Sequence, residues 1–217
     1  MGDAGRSYPP AATIGAIVLA AGGSSRLGRP KQLVEYHGLS LIRRAVLTAI
    51  EARLRPVVVL GCEAEACRGE LVGVESLIVI NERWQQGIGS SLRLGVEHIR
   101  RETALTAAVV MLCDQPLVDA AALGRIVSAY RATGAPVVAA RYADTLGVPA
   151  LFSGPWLDRL LALPDDAGAK GVIREAGPAV VGVDVPEAAL DLDAEADLRR
   201  LGGEDLTQRR GGAEKGD

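Results

Sequence analysis

The chain of 217 residues is long enough for one α/β domain with a full core, and 48% hydrophobic but only 3% aromatic content requires that core to be aliphatic. A net charge of −3 without a basic block argues against a general nucleic-acid binder, and no apolar run reaches the ~18 residues of a membrane span. Cys62, Cys67 and Cys113 form no zinc-type pair, which reads as reduced thiols in a cytoplasmic protein.

Residues 1–13, rich in Gly, Pro, Ala and Ser, read as a flexible tail without a signal-peptide pattern. The apolar run 14–20 is a buried strand that breaks at Gly22-Gly23. Residues 32–36 are extended and turned by His37-Gly38, and Ser40 N-caps a helix over 41–52. A strand over 56–60, a short helix over 63–71 and a third strand over 76–80 lead to Asn81. A helix over 88–101 and a strand over 107–112 lead to Asp114, and Asp119 caps a helix running to 132. Another strand covers 135–140.

The second half changes character. Gly147 and Pro149 precede a short strand over 150–152, and Gly154-Pro155 opens a helix to 163. A turn over 164–170 leads to a short helix, followed by a strand over 180–185, a strand end at 190–193 and a closing helix over 194–201. Residues 202–217 are polar and Gly-rich and read as a disordered tail, which leaves one domain over 14–201. Continuous aliphatic strands alternating with helices predict a mostly parallel sheet covered on both faces. Such sheets bind ligands at the carboxyl ends of their strands. The loop after residue 20, the segment from Asn81 and the turn at Asp114 all fall there.

The loop after the first strand carries the clearest chemistry. Small residues let the backbone approach a ligand, and their N–H groups can wrap a phosphate. Arg26 and Lys31 add two cations, so the loop suits a polyphosphate, although a Gly-rich turn with two solvated cations is the bland alternative. It is not a P-loop, because Arg29-Pro30 stands after Gly28 where Lys-Ser/Thr belongs, and the dinucleotide pattern G-x-G-x-x-G is absent. Asp114, in Leu112-Cys-Asp-Gln-Pro116, is placed to hold Mg²⁺ against phosphate oxygens or simply to cap a turn. His37 and His98 have no partners at catalytic spacing.

The full string L-A-A-G-x-S-x-R-L-G-x-x-K over residues 19–31 resembles the nucleotide-binding signature of the nucleotidyltransferases that load the molybdenum cofactor. The resemblance covers about residues 14–201 and implies an α/β, three-layer α/β/α Rossmann-like nucleotidyltransferase fold with a mostly parallel central sheet. It implies that Leu19, Ala20, Ala21, Gly22, Gly23, Ser24 and Ser25 embrace the NTP phosphates, and that Arg26 and Lys31 neutralise them as catalytic residues. It makes Asp114 a magnesium ligand and, through the stretch Asp191-Leu-Asp193, supplies Asp193 as the second, with Asp191 in support. Here Ala194-Glu195-Ala196 replaces the family's Thr-Pro-Glu.

The stretch from Asn81 through Trp84, Gly87, Ser90 and Ser91 to Gly95 is similar to the family's N-x-x-W-x-x-G-x-x-S-S-x-x-x-G segment. The resemblance assigns Asn81, Ser90 and Ser91 to the nucleobase and ribose; ordinary packing suits Trp84, and a helix cap is the alternative for Ser90. Gly147 and Pro149 match a G-x-P acceptor segment. Asp166 and Lys170 match the acceptor element G-D-x-G-A-R, with Asp165 in place of its glycine and Lys170 in place of its arginine. The implied reaction is Mg²⁺-dependent transfer of CMP from CTP to the phosphate of a molybdopterin-type cofactor, releasing pyrophosphate. A guanylyltransferase, another small-molecule nucleotidyltransferase, and a nucleotide-binding chaperone that inserts cofactor into a molybdenum hydroxylase apoenzyme are the alternatives. Neither nucleic acid nor membrane is an expected partner.

Overall fold

The computed structural model describes residues 14–23, 29–102, 105–192 and 197. In chain order these give β1 (Ile14–Ala20), β2 (Glu35–Tyr36), β3 (Leu39–Ser40), α1 (Leu41–Glu51), β4 (Arg55–Leu60), α2 (Ala64–Glu70), β5 (Leu77–Ile80) and α3 (Ile88–Arg101). There follow β6 (Ala107–Leu112), α4 (Ala120–Thr133), β7 (Val137–Tyr142), β8 (Thr145–Ser153), α5 (Pro155–Arg159), α6 (Ala169–Ala176) and β9 (Val180–Asp184). Short 3₁₀ turns cover Lys31–Leu33, Trp84–Gln86, Leu160–Ala162 and Pro186–Ala189, among others.

Seven strands make one sheet in the order β5-β4-β1-β6-β8-β7-β9. Its pairings are parallel except those of β8, which runs antiparallel to both β6 and β7. The expected mostly parallel α/β sheet is therefore present. The alternation of β1 explains why it must be apolar throughout. Ile14, Ala16, Val18 and Ala20 join a core with Ile42 and Val46 of α1, Cys67 of α2 and Leu123 and Ile126 of α4. Ile17 and Leu19 join a second core with Leu92, Val96 and Ile99 of α3 and Val172 and Ile173 of α6. A two-faced buried strand cannot tolerate polar alternation.

α3 presses closely onto β1 because both carry a glycine at the contact. A Cβ on Gly95 would stand 2.5 Å from Ile17 Cγ2, and one on Gly15 would stand 2.3 Å from Ile99 Cδ1. This close seating fixes where the helix N-terminus meets the end of the sheet.

The structure departs from the sequence reading in several places. β8 is one strand over Thr145–Ser153, running through Gly147 and Pro149, rather than a short strand over 150–152. Ala139 pairs with Ala150 but Ala140 pairs with Gly147, so Val148 and Pro149 stand outside the ladder as an irregularity. A proline without an N–H is tolerated in a strand at such a place; the Val148–Pro149 peptide is cis. Ser40 occupies the N-cap position of α1, but its hydroxyl is buried without a partner among the described residues. Asp119 does cap α4, accepting the Ala122 N–H at 2.8 Å. His37 and Gly38 turn the β2–β3 hairpin with φ of 52° and 75°. Leu190 to Leu192 form no strand; the Leu192 N–H makes the backbone bond described below. The expected tails 1–13 and 202–217 lie outside the described residues, as does all of 194–201 except Asp197. Among the described residues no helix is long and apolar enough to cross a membrane.

Candidate nucleotide site

β1, β4, β5 and β6 are mutually parallel neighbours, so their carboxyl ends open on one edge of the sheet. That edge collects the loop beginning at Ala21, the turn at Gly61, Asn81 and Asp114. Leu19, Ala20 and Ala21 are buried, whereas Gly22 and Gly23 are exposed. The expected phosphate-binding residues Ser24 and Ser25 and the cation Arg26 lie outside the described residues.

The start of this loop is held from behind. Gln32 is fully buried, and its amide donates to the Ala20 carbonyl at 3.0 Å and to the Gly22 carbonyl at 2.6 Å. The Cys62 N–H donates to the Ala21 carbonyl at 3.1 Å. Trp84 packs across the same place. A Cβ on Gly61 would stand 2.6 Å from Trp84 Cβ, and one on Gly23 would stand 3.0 Å from Trp84 Cζ3. Packing is thus what the described contacts of Trp84 show, as its sequence context suggested. Gln32 carries no sequence signal of its own. Only its place one residue after Lys31, where the chain turns back under the loop, would have singled it out.

Lys31 and Asp114 meet directly, the Lys31 ammonium donating to Oδ2 of Asp114. Asp114 is only 7% exposed, and its other oxygen, Oδ1, is buried without a hydrogen-bond partner among the described residues. A buried anionic oxygen left without a partner is costly unless something occupies it. A divalent cation is what such an oxygen suits. The charge of Asp114 is felt next door: burial, and then the Asp114 carboxylate, push the Cys113 thiol far above its ordinary range.

The second acidic segment docks on the same residue. The Leu192 N–H donates to the Asp114 carbonyl at 2.8 Å, and Leu192 is buried with Val34 and Leu41. This brings the chain at Asp191 beside Asp114. Asp193 lies outside the described residues, and among these no three His, Cys, Asp or Glu side chains cluster as a metal site. Gln115 ties in the other side. Its Nε2 donates to the Ala188 carbonyl at 3.1 Å and reaches the Val148 carbonyl at 3.4 Å, between the buried Gly147 and Pro149. Tyr142 completes this corner: a Cβ on Gly147 would stand 2.3 Å from its hydroxyl. Burial, and then the charge of Asp191, push the Tyr142 phenol above its ordinary pKa.

Asn81, Ser90 and Ser91 come together and are all buried. The Asn81 amide donates to Ser90 Oγ at 2.8 Å and to Ser91 Oγ at 2.9 Å, while its carbonyl oxygen accepts the Arg83 N–H at 3.0 Å. Ser90 Oγ in turn donates to the Gly87 carbonyl at 2.8 Å. Gly87, with φ of 132°, holds the cap position of α3, so Ser90 stands inside the helix and not at its cap. The first turn of α3 is also contacted from outside. The Gly89 N–H donates to the Asp165 carbonyl at 2.8 Å, so this amide is engaged by the chain itself. Asp166 and Lys170 are exposed, and Lys170 sits in the first turn of α6. Lining a cleft of about 280 Å³ on the outer side of α3 are Asn81, Arg83, Ser90, Arg93 and Glu97, among others.

A parallel sheet whose carboxyl edge gathers the start of a glycine-rich loop, a lysine paired with a buried aspartate, and the chain at Asp191 has a form suited to nucleotide phosphates. The chain belongs to the MobA-like NTP transferase family, whose domain matches residues 16–180, and it is therefore a nucleotidyltransferase domain. Rv0371c from Mycobacterium tuberculosis H37Rv is 33% identical with a TM-score of 0.77, the match covering 88% of this chain and 97% of that one. A crystal structure of Rv0371c in complex with manganese matches at 30% identity and a TM-score of 0.72, over 87% of this chain and 97% of that one. Among curated proteins, nicotine blue oxidoreductase of Paenarthrobacter nicotinovorans is 34% identical over 117 residues, 53% of this chain and 56% of its own length. The match thus spans little more than half of that relative.

Proposed function

We propose that this chain is a molybdenum cofactor cytidylyltransferase that transfers CMP from CTP to the terminal phosphate of a molybdopterin-type cofactor. The observation that carries the reading is Asp114: buried, with one oxygen on Lys31 and the other without a hydrogen-bond partner among the described residues, at the edge where the glycine-rich loop begins. The acceptor phosphate is already ionised at neutral pH, so no general base is required. Its oxygen bonds to the α-phosphorus of CTP, the bond between that phosphorus and the α–β bridging oxygen breaks, and pyrophosphate leaves with the electron pair. The work left to the protein is positioning two anions against their repulsion.

The residues suit that task. The backbone from Leu19 to Gly23, pinned by Gln32, holds the polyphosphate, with Ser24 and Ser25 continuing the loop. Lys31 exchanges its contact with Asp114 for a phosphate oxygen, and Arg26 shares the charge. Asn81, Ser90 and Ser91 order the nucleoside side, while Gly147, Pro149, Asp166 and Lys170 form the acceptor side. A divalent cation, Mg²⁺ in this reading, is held by Asp114 and Asp193 and supplies Lewis-acid charge stabilisation worth roughly several kcal/mol. The manganese complex of the 30% identical Rv0371c supports divalent metal use. CTP is favoured over GTP because Asp193 stands where guanylyltransferases of the resembled family tend to carry asparagine. A molybdenum hydroxylase apoenzyme as recipient follows from the proposed product. The three unpaired cysteines support a cytoplasmic location.

Pyrophosphate release with Mg²⁺ and molybdenum cofactor, compared across CTP, GTP, ATP and UTP, tests the proposal. Release with CTP alone is the expected result, and silence with all four despite nucleotide binding overturns it. One observation favours a second reading: the curated relative is named an oxidoreductase. In that reading the same loops hold a redox nucleotide, and oxidation of a reduced nicotinamide dinucleotide without pyrophosphate release is its signature.

A further inference from the structure

We propose that Arg93 and Asp165 form a positioning latch that seats the acceptor-side loop on the nucleotide-side end of α3, so that acceptor affinity depends on the pair. The inference rests on the nucleotidyltransferase reading above for the roles of the two sides. Arg93 lies two residues after Ser91 on α3 and reaches across to the 3₁₀ exit. One guanidinium nitrogen, Nη1, donates to the Leu163 carbonyl and the other, Nη2, to the Asp165 carboxylate. The fork of an arginine can hold two acceptors at once, which a lysine ammonium cannot do with the same fixed geometry.

The backbone makes the same junction from the other side. Besides the bond from the Gly89 N–H to the Asp165 carbonyl, the loop lies so close that side chains are excluded. A Cβ on Gly89 would stand 2.0 Å from the Pro164 carbonyl oxygen, and one on Gly87 would stand 2.3 Å from that of Asp165. The loop then returns through the Ala167 N–H to the Pro164 carbonyl at 3.2 Å and enters α6 immediately before Lys170. Asp165 stands where the resembled acceptor element has glycine. Its side chain is engaged by the helix that carries Ser90 and Ser91. The substitution at 165 therefore comes with a partner, and the pair joins the two halves of the site. Ser90 and Ser91 have their own support in Asn81, so breaking the latch leaves the nucleotide side standing.

The test uses the full chain with R93Q, R93K, D165N and the double variant R93Q/D165N. With wild-type transfer established, R93Q and D165N raise the KM for the molybdopterin-type acceptor about tenfold, while CTP affinity changes by less than about twofold, tenfold being about 1.4 kcal/mol. R93K, which keeps the charge but not the fork, falls between. The double variant is no worse than R93Q alone, because R93Q already removes the contact to Asp165 along with that to the Leu163 carbonyl. An unchanged acceptor KM, or equal losses in CTP affinity and acceptor KM, overturns the latch. If wild type transfers no nucleotide, the function above fails separately, and amide hydrogen exchange judges the latch. In R93Q the amides of Ala167 and Gly89, which donate to the Pro164 and Asp165 carbonyls, exchange at least about tenfold faster than in wild type. Equal protection overturns it.

Discussion

Gln32 offers the sharpest test of whether the glycine-rich loop is held ready for nucleotide or shaped by it. Its amide nitrogen donates at 3.0 Å to the Ala20 carbonyl and at 2.6 Å to the Gly22 carbonyl, from a position with no solvent exposure. Gln32→Leu keeps the volume and removes the donor. Ala20 is only 2% exposed, so its carbonyl loses this bond where water cannot replace it, at about 1–3 kcal/mol. Gly22 is exposed, and its carbonyl rehydrates at little cost. The loss falls on the loop and its root. If it lowers the population of the binding-competent loop by about 1.4 kcal/mol, the apparent Kd for CTP rises about tenfold. The same loss lowers Tm by roughly 2–4 °C per kcal/mol for a chain of this size. Calorimetric titration of CTP with Mg²⁺ and a thermal melt read both quantities. Gln32→Glu sharpens the comparison, because a carboxylate turned toward two carbonyl oxygens is repelled at nearly equal volume, and it weakens binding further. CTP affinity within about twofold of wild type for both variants would refute the reasoning and mean that nucleotide shapes the loop unaided.

Three further outcomes are expected. Asp114→Asn removes the buried charge and lowers the rate of pyrophosphate release by roughly 10²–10³-fold, as loss of a few kcal/mol of charge stabilisation requires, with the fold intact by circular dichroism. Gly95→Ala places a methyl 2.5 Å from Ile17 Cγ2 in a packed core and costs about 1–3 kcal/mol in a urea titration, with activity per folded molecule retained. Burial pushes the Cys67 thiol up from 9.0 to about 11 and raises Cys113 as well, so both stay protonated in the folded state where unfolded thiols ionise. The unfolded chain then binds fewer protons, and stability falls as pH rises from about 9 towards 11, by up to about 1.4 kcal/mol per pH unit per thiol. Chemical denaturation at stepped pH measures the slope, and a stability flat across that window contradicts the assignment.

The elements most legible in the sequence were those whose pattern had one physical solution. The unbroken aliphatic run of β1 had to be buried on both faces, and the spacing of Leu92, Val96 and Ile99 had to face a core. The helix over 88–101 and the strand over 107–112 match the observed limits, the helix being bounded by Gly87 and Glu102 and the strand being an unbroken aliphatic run. β8 was shortened because Gly147 and Pro149 read locally as breakers. Only the antiparallel neighbours β6 and β7, with a register shift at Ala139/Ala140, show how the strand carries them. Leu190 to Leu192 alternates like a strand, but its Leu192 N–H meets the Asp114 carbonyl and no ladder forms, because β6 has already ended at Leu112.

The site shows the same division more sharply. Motif spacing singled out the residues that the resemblance assigns to ligand. It did not find the residues that hold the loops to one another. Gln32, Gln115 and Arg93 act mainly on backbone carbonyls, at Ala20 and Gly22, at Ala188 and Val148, and at Leu163. A carbonyl carries no side-chain identity, so its partner leaves no pattern in the chain and appears only when the fold brings the two together. The same reasoning applies to Gly87 and Gly89. Neither is marked in the sequence by the contact it serves, and at Gly89 it is the Pro164 carbonyl, not backbone strain, that leaves no room for a Cβ. The family and its mostly parallel α/β fold were therefore legible before the structure. The contacts that hold its loops to one another were not, because they run between main chain and side chains far apart in sequence.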